Sequence, residues 1–265
     1  MIWQQGLPNP AADQRLGGFS GMALDWPRRR LWLLSDAKRT HSLELRWDGT
    51  VRQPLLSAQA PQPLQGQGRQ KLDGEALVRT PGGSPERFWM ASEARNPQKR
   101  PASLLELKLL RSGGFAIQQQ WPLPAEWQPQ QGQGMRRNKG PEALVALPGL
   151  RFVLAAEAPL QQDSSRQLRL LLAKQQGQQM QFTPLGTPLL VSAPLEAQPH
   201  WGLTALLPAQ AGEQPPLLAL WRGYAEPNKW RNRLSLLPAV PLDQKPERAV
   251  APLMRWDLRD VGLEP

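Results

Sequence analysis

At 265 residues, 40% of them hydrophobic and 11 of them Trp, the chain carries enough apolar surface for a sizeable core, which excludes an intrinsically disordered protein. A formal charge of +10, from 32 basic and 22 acidic residues, favours anionic partners without choosing among phosphates, nucleic acid and membrane surfaces. The absence of Cys excludes disulfides, thiol catalysis and thiolate-bound zinc.

The opening MIWQQGLPNP has neither the basic n-region nor the apolar h-region of a signal peptide. No stretch reaches the roughly 18 consecutive apolar residues of a membrane-spanning helix, so neither a membrane nor a membrane partner is expected. The expectation is a soluble protein, periplasmic or secreted if a leader precedes this chain and cytoplasmic otherwise.

From Ser20 to Asp36 the chain reads SGMALDWPRRRLWLLSD, two short apolar strands around a turn that holds Arg28, Arg29 and Arg30. Next comes SLELRWDGTVRQPLL, where Leu43, Leu45 and Trp47 alternate with polar residues ahead of Asp48 and Gly49, a dipeptide suited to a type I′ hairpin turn. The hairpin pattern returns as EALVRTPGGSPERFWMASE from Glu75 to Glu93, and again as EALVALPGLRFVLAAE from Glu142 to Glu157. Residues 167–174, QLRLLLAK, have helical propensity, but their Gln- and Gly-rich flanks favour a strand between loops. A fourth copy, WGLTALLPAQAGEQPPLLALWRGY, begins at Trp201 and has Trp221 and Arg222 in place of the closing carboxylate.

Unit starts at Ser20, Glu75, Glu142 and Trp201 are about 55, 67 and 59 residues apart, a period that suits one four-stranded propeller blade with long loops. The expected fold is an all-β propeller of five or six such blades, formed by residues 1–265 as a single domain. Gln-, Pro- and Gly-rich segments at 58–70, 118–134 and 175–181 are expected to be surface loops, being too poor in apolar residues to build cores of their own.

These residues resemble a known family. GGFSGMALD with LWLLSD, LDGEALV with FWMASE, RRNKGPEALVAL with FVLAAE, and WGLTAL with LWRGY are similar, in order, to the signatures of the phytase-like, esterase-like β-propellers, from about residue 17 to the C-terminus. Two departures stand out. Trp221 occupies the place before Arg222 where the family usually carries Glu, and the further Glu-Gly signature and closing strands expected after WDLRDVGLEP are missing, so the ring is expected to lack its closing C-terminal blade. An unclosed ring would expose strand edges.

In a propeller, equivalent positions of successive blades converge on one axis. Asp36, Glu75, Glu93, Glu142 and Glu157 are therefore candidate ligands of a metal at one mouth of the channel, since converging carboxylates stay ionised only when cations compensate. The resemblance to phytases implies Ca²⁺, bridging a substrate phosphate to the protein. The competing reading has each carboxylate accept hydrogen bonds within its own blade. Glu75, Glu142 and Arg222 are candidate catalytic residues, with Lys139, Arg95 and His200 as candidate substrate-binding residues. Arg offers a planar fork for an oxyanion, against the alternative of salt bridges to the repeated carboxylates.

A serine-hydrolase triad finds no support. GFSGM around Ser20 departs from the Gly-x-Ser-x-Gly elbow, and His41 and His200, the only two His, lie in no motif of a general base. Trp32, Trp89 and Trp201 fall in apolar strands and are expected to pack between blades rather than stack on nucleic-acid bases, so no nucleic-acid partner is expected. The functional expectation is hydrolysis of a small anionic, phosphate-containing ester assisted by carboxylate-bound Ca²⁺. A non-catalytic propeller that binds a small molecule or a protein loop is the alternative, and oligomeric state stays open.

Overall fold

The computed structural model describes residues 18–35, 41–50, 53–58, 61–66, 72–94, 96–190, 200–225, 229–239 and 250–258. They form four antiparallel sheets in chain order, each wound strand after strand, so that each ~60-residue unit closes locally before the next begins. In blade 1, β1 (Phe19–Asp25), β2 (Arg30–Ser35), β3 (His41–Thr50) and β4 (Gln53–Ala58) lie side by side, with the short β5 (Gln62–Pro63) also paired to β3. Blade 2 comprises β6 (Gly74–Arg79), β7 (Arg87–Ser92), β8 (Ser103–Leu109) and β9 (Phe115–Pro122). Blade 3 comprises β10 (Ala143–Leu147), β11 (Arg151–Ala155), β12 (Gln167–Gln176) and β13 (Gln179–Leu190). Blade 4 comprises β14 (His200–Pro208), β15 (Leu217–Ala225), β16 (Lys229–Leu237) and β17 (Met254–Asp257).

The arrangement is a four-bladed β-propeller among the described residues, not one of five or six blades. Long connections explain the difference: 20 residues separate β9 from β10 and 16 separate β16 from β17, so 265 residues are spent on four sheets. No helix among the described residues is long and apolar enough to cross a membrane.

Innermost strands adjoin in sequence, β1 against β6, β6 against β10 and β10 against β14. Alternation gives every blade two apolar faces, which is why three cores lie between four blades. The first core sets Ala23, Trp32 and Leu34 of blade 1 against Leu77, Phe88 and Met90 of blade 2. The second joins Trp89, Ala91 and Leu104 to Phe152, Leu154 and Leu171, and the third joins Val145, Val153 and Leu170 to Leu206, Ala219 and Trp221. Each fully buried large side chain contributes about 1.5–3 kcal/mol of transfer free energy. Aromatic geometry adds to this: Trp32 meets Phe88 edge-on at 4.9 Å between centroids, and Trp89 lies 4.4 Å from Phe152. β1 and β6 approach so closely that a Cβ on Gly21 would stand 2.9 Å from the Leu77 nitrogen and 3.2 Å from its Cβ.

Three inner strands carry one extra residue at corresponding places. The register slips at Ser20 in β1, at Glu75 in β6 and at Thr204 in β14, each a β-bulge of the kind that turns a side chain out of the ladder. Elsewhere two local expectations are revised. The β3–β4 ladder runs on through Asp48 and Gly49, pairing Thr50 with Gln53 and setting Trp47 opposite Leu56, so the Asp-Gly dipeptide lies in the strand rather than in the turn. Of the expected loop at 118–134, residues 118–122 belong to β9 and 125–127 form a 3₁₀ turn whose Trp127 is fully buried. Gln128 locks this segment, because its amide accepts from the Ala102 N–H at 2.8 Å and donates to the carbonyls of Ala102 and Leu123 at 3.0 and 2.8 Å. A Gln-rich stretch can thus be ordered by one anchoring Trp and one satisfied amide. Residues 167–174 are strand, within β12, and 175–181 form the tip of the β12–β13 hairpin.

Candidate functional site

The hub is built from the first residues of inner strands and the residues that follow the second strands. Asp73 immediately precedes β6, Glu75 sits on its bulge, and Glu93 follows β7. A backbone bond from Glu93 N–H to the Asp73 carbonyl, 2.8 Å, closes the two strand ends together. One carboxylate oxygen from each of Asp73, Glu75 and Glu93 thereby falls within 4.8 Å of the others, and Glu75 and Glu93 are buried, 8% and 9% exposed.

Burial raises the Glu93 carboxyl to about 7, and the neighbouring charges of Asp73 and Glu157 add to the effect. Backbone N–H groups of Asn138 and Lys139 oppose it by bonding to the carboxylate. Asn138 can present them because it adopts a left-handed φ of 54°, which Asn tolerates better than most residues. The same loop seats Gly140 on Glu93: a Cβ there would lie 2.7 Å from the Glu93 Cγ.

A second carboxylate group occupies blade 3. Glu142 precedes β10 and Glu157 follows β11, both joined through the Gly140 carbonyl, which accepts from their N–H groups at 2.9 and 2.8 Å. Here cations are supplied from within. Lys139 Nζ donates to Glu157 Oε1 at 2.8 Å, while Arg222 lies 3.5 Å from Glu142 Oε2 and 3.7 Å from Glu157 Oε1. Glu142 is nonetheless pushed up to about 8, first by burial and then by the Glu157 charge, with Arg222 and Lys139 pulling the other way.

The register explains why Arg222 arrives there. Ala76 pairs with Ala91, Ala143 with Ala155 and Ala205 with Leu220, which puts Arg222 at the blade-4 position that Glu93 holds in blade 2 and Glu157 in blade 3. Trp221 belongs to the core, 1% exposed. By the same correspondence Ser20 and Thr204 stand where Glu75 and Glu142 stand, which makes Ser20 a hydroxyl at a carboxylate position. Its Oγ donates to the Gly74 carbonyl at 2.6 Å and so ties blade 1 to blade 2.

A cavity of about 1060 Å³ opens beside the acidic group, walled by Asp73, Glu93, Arg136, Arg137, Asn138 and Gln161. It joins a negative pole to two exposed guanidinium groups, which is the charge pattern of a site for a cation and an anion together. Gln161 braces the wall by donating to the carbonyls of Gln130 and Gln133 at 2.8 and 2.9 Å.

A family model described as phytase-like, "esterase-like activity of phytase", matches residues 14–263. The chain belongs to the phytase-like family. That match spans nearly the whole chain, and no curated protein matches it. For a phytase-like propeller the placement of the expected site residues is informative. Glu75 and Glu93 come together with Asp73; Glu142, Glu157, Lys139 and Arg222 come together as an ion-paired group beside them. Asp36 and Arg95 lie outside the described residues, and of His200 only its backbone, at the start of β14, is described. Asp73, Arg136 and Arg137 were not among the residues singled out for chemistry. The signal for Asp73 is Asp-Gly-Glu at 73–75, two carboxylates either side of a glycine at a strand entrance. The three carboxylates fit a hard divalent cation, since they supply oxygen ligands only and their mutual repulsion is a cost that a cation would remove.

Proposed function

We propose that the protein is a hydrolase of a small anionic, phosphate-containing ester, working with a divalent cation, Ca²⁺, held by Asp73, Glu75 and Glu93. The observation that carries this reading is the juxtaposition of Asp73 and Glu93, two members of the three-carboxylate group, with Arg136 and Arg137 on the wall of one cavity, Glu75 standing beside them. When bound, the cation supplies Lewis-acid polarisation of the ester and of water.

The chain's own residues prepare the rest. Arg136 and Arg137 offer paired donors that grip and orient the anionic end of the substrate. Glu93, its carboxyl pushed up to about 7 by burial, carries a proton for part of the time near neutral pH, so cation binding and proton release are linked at this residue. Lys139 and Arg222, exposed over 44% and 43% of their side chains, keep the blade-3 carboxylates neutralised and add positive potential at the rim, where negative charge grows during attack on the ester. Glu142, outside the cation-binding trio and with its carboxyl pushed up to about 8, is the candidate acid–base group.

The test is turnover of phosphomonoester and carboxyl-ester substrates with Ca²⁺ or with a chelator, together with the calcium-dependent change in melting temperature. Chelator-sensitive hydrolysis of the phosphate ester is expected, abolished together with the melting shift by Glu75→Gln and by Glu93→Gln. A melting curve indifferent to calcium would overturn the cation site.

One observation favours a second reading, a propeller that binds an anionic ligand without turnover. Lys139 and Arg222 are already engaged by Glu157 and Glu142, which limits the charge they can lend to a reacting group. Calcium-dependent ligand binding with no hydrolysis would select it.

A further inference from the structure

A second cavity, of about 670 Å³, adjoins the first and shares Pro97, Pro129, Gln130 and Gln131 with it. Its size falls within the roughly 300–1,000 Å³ of ordinary small-molecule sites. The two differ in chemistry. The first joins Asp73 and Glu93 to Arg136 and Arg137, whereas the described residues that line the second include no ionisable side chain and consist of amides, two prolines and Ala125.

Tight turns hold these amides in place. On one side Asn96 closes a turn: its Oδ1 accepts from the N–H groups of Gln98 and Lys99, both at 3.2 Å, and its carbonyl accepts from those of Lys99 and Arg100 at 3.0 and 2.6 Å. On the other, Gln130 and Gln133 exchange two backbone bonds, at 3.1 and 3.4 Å, and Gln130 Nε2 donates to the Ala125 carbonyl at 3.2 Å. Gln128 has its amide engaged by Ala102 and Leu123, so it shapes the wall without offering a contact. Gln98 and Gln131 are exposed, and their side-chain amides make no hydrogen bond to the described residues. They are the groups left to meet a ligand.

An amide carries a donor and an acceptor together, which matches a hydroxyl, itself both, and gives a charged group no compensation. The rings of Pro97 and Pro129 supply aliphatic faces for C–H groups, while no aromatic side chain among the described lining residues is there to stack on a base. We infer that the second cavity receives the alcohol half of the ester, and that this half is neutral and rich in hydroxyl groups, as a sugar is. The inference rests on the proposed function in placing the phosphate beside Arg136 and Arg137; the hydroxyl site itself needs neither phosphate nor cation. Because four residues wall both cavities, one small ester can span them. A second phosphate on the alcohol would bring charge against a wall of neutral amides, so a monophosphate is the better fit.

Saturation-transfer NMR with methyl glucoside, which has no phosphate, tests the hydroxyl site alone. Transfer is expected from the unmodified chain, in chelator as in Ca²⁺, and should be lost in the Gln98→Ala, Gln131→Ala double variant, whose two positions support no internal bond. Isothermal titration in Ca²⁺ then compares glucose 6-phosphate with inorganic phosphate. The sugar phosphate should bind about tenfold more tightly, the worth of one or two net hydrogen bonds. The double variant should remove that advantage and leave the affinity for inorganic phosphate unchanged, and fructose 1,6-bisphosphate should bind less tightly than glucose 6-phosphate. An absence of transfer to the glucoside overturns the inference, as does transfer that survives in the double variant, or a bisphosphate that binds more tightly than the monophosphate. Glucoside transfer with no binding of any phosphate would instead sink the reading of the first cavity and leave the second as a plain carbohydrate site.

Discussion

Gly202 of blade 4 lies directly against the carboxylate of Glu157 of blade 3: a Cβ on this glycine would stand 2.4 Å from Glu157 Oε1. The contact is reinforced by a backbone bond from Leu203 N–H to the Glu157 carbonyl at 2.9 Å. A single missing methyl therefore lets the acidic hub sit at the seam between two blades. Gly202→Ala should force Glu157 away from Lys139 and cost about 1–3 kcal/mol, the usual range for an overpacked contact. Urea unfolding of the two proteins measures it, and an unchanged midpoint would show that the seam relaxes freely.

Arg222 is the cation that blade 4 contributes where blades 2 and 3 contribute carboxylates. Replacing it by Leu leaves Glu142 and Glu157 with Lys139 as the compensating charge of that group, and the loss should be about 1–3 kcal/mol, below the full cost of breaking a buried pair because Arg222 is 43% exposed. Arg222→Glu should be worse than Arg222→Leu, since it adds a third like charge. Equal unfolding midpoints for the two variants would contradict this.

The pH dependence has a definite sign. Glu142 is raised in the folded protein from an ordinary value of 4.5, so between that pH and about 8 the native state holds a proton that the unfolded chain has lost. Glu93 behaves alike up to about 7. Stability in the presence of a chelator is therefore expected to fall as pH rises through this window, at about 2–4 °C of melting temperature per kcal/mol for a chain of this size. The charges that face these groups are those of Asp73 and Glu157, which favour the bound proton, and of Lys139 and Arg222, which oppose it at Glu142. Melting curves at pH 5 and pH 8 give the comparison, and Glu142→Gln should flatten the slope; a rise in stability over the window would be the wrong sign.

Gln128 holds the segment after β9 through three hydrogen bonds made while it is 8% exposed. Gln128→Leu keeps the bulk and strands the Ala102 N–H and two carbonyls, which should cost about 3 kcal/mol or more at roughly 1–3 kcal/mol for each group left unsatisfied. The 3₁₀ turn and the cavity wall beside it should loosen first. Hydrogen exchange at Ala102 and Trp127 reads this directly.

The sequence pattern carried the blades because a blade is local: apolar alternation, a turn and another strand repeat within about 60 residues, and Glu75, Glu93, Glu142 and Glu157 were legible as recurring strand-end carboxylates. It could not say that those four would divide into an all-acid group and an ion-paired group. That depends on Asp73 joining the first and on Arg222, brought in from 80 residues away, joining the second. Trp221 and Arg222 look alike as substitutes in the motif, and only cross-strand register sends one into the core and the other to the hub. Blade number was misjudged for the converse reason, since the length of connections such as the one after Trp127 is set by what they pack against. Loop composition likewise missed Gln128, because a buried amide is ordered by partners distant in the chain.

The bulges at Ser20, Glu75 and Thr204 have a wider consequence. An extra residue in a strand has no opposite number, so its identity is not constrained by the alternation that keeps each sheet two-faced. Hydroxyl and carboxyl side chains can be exchanged at these three places without asking any ladder to re-pair, which leaves the axis of the molecule chemically editable while its walls stay fixed.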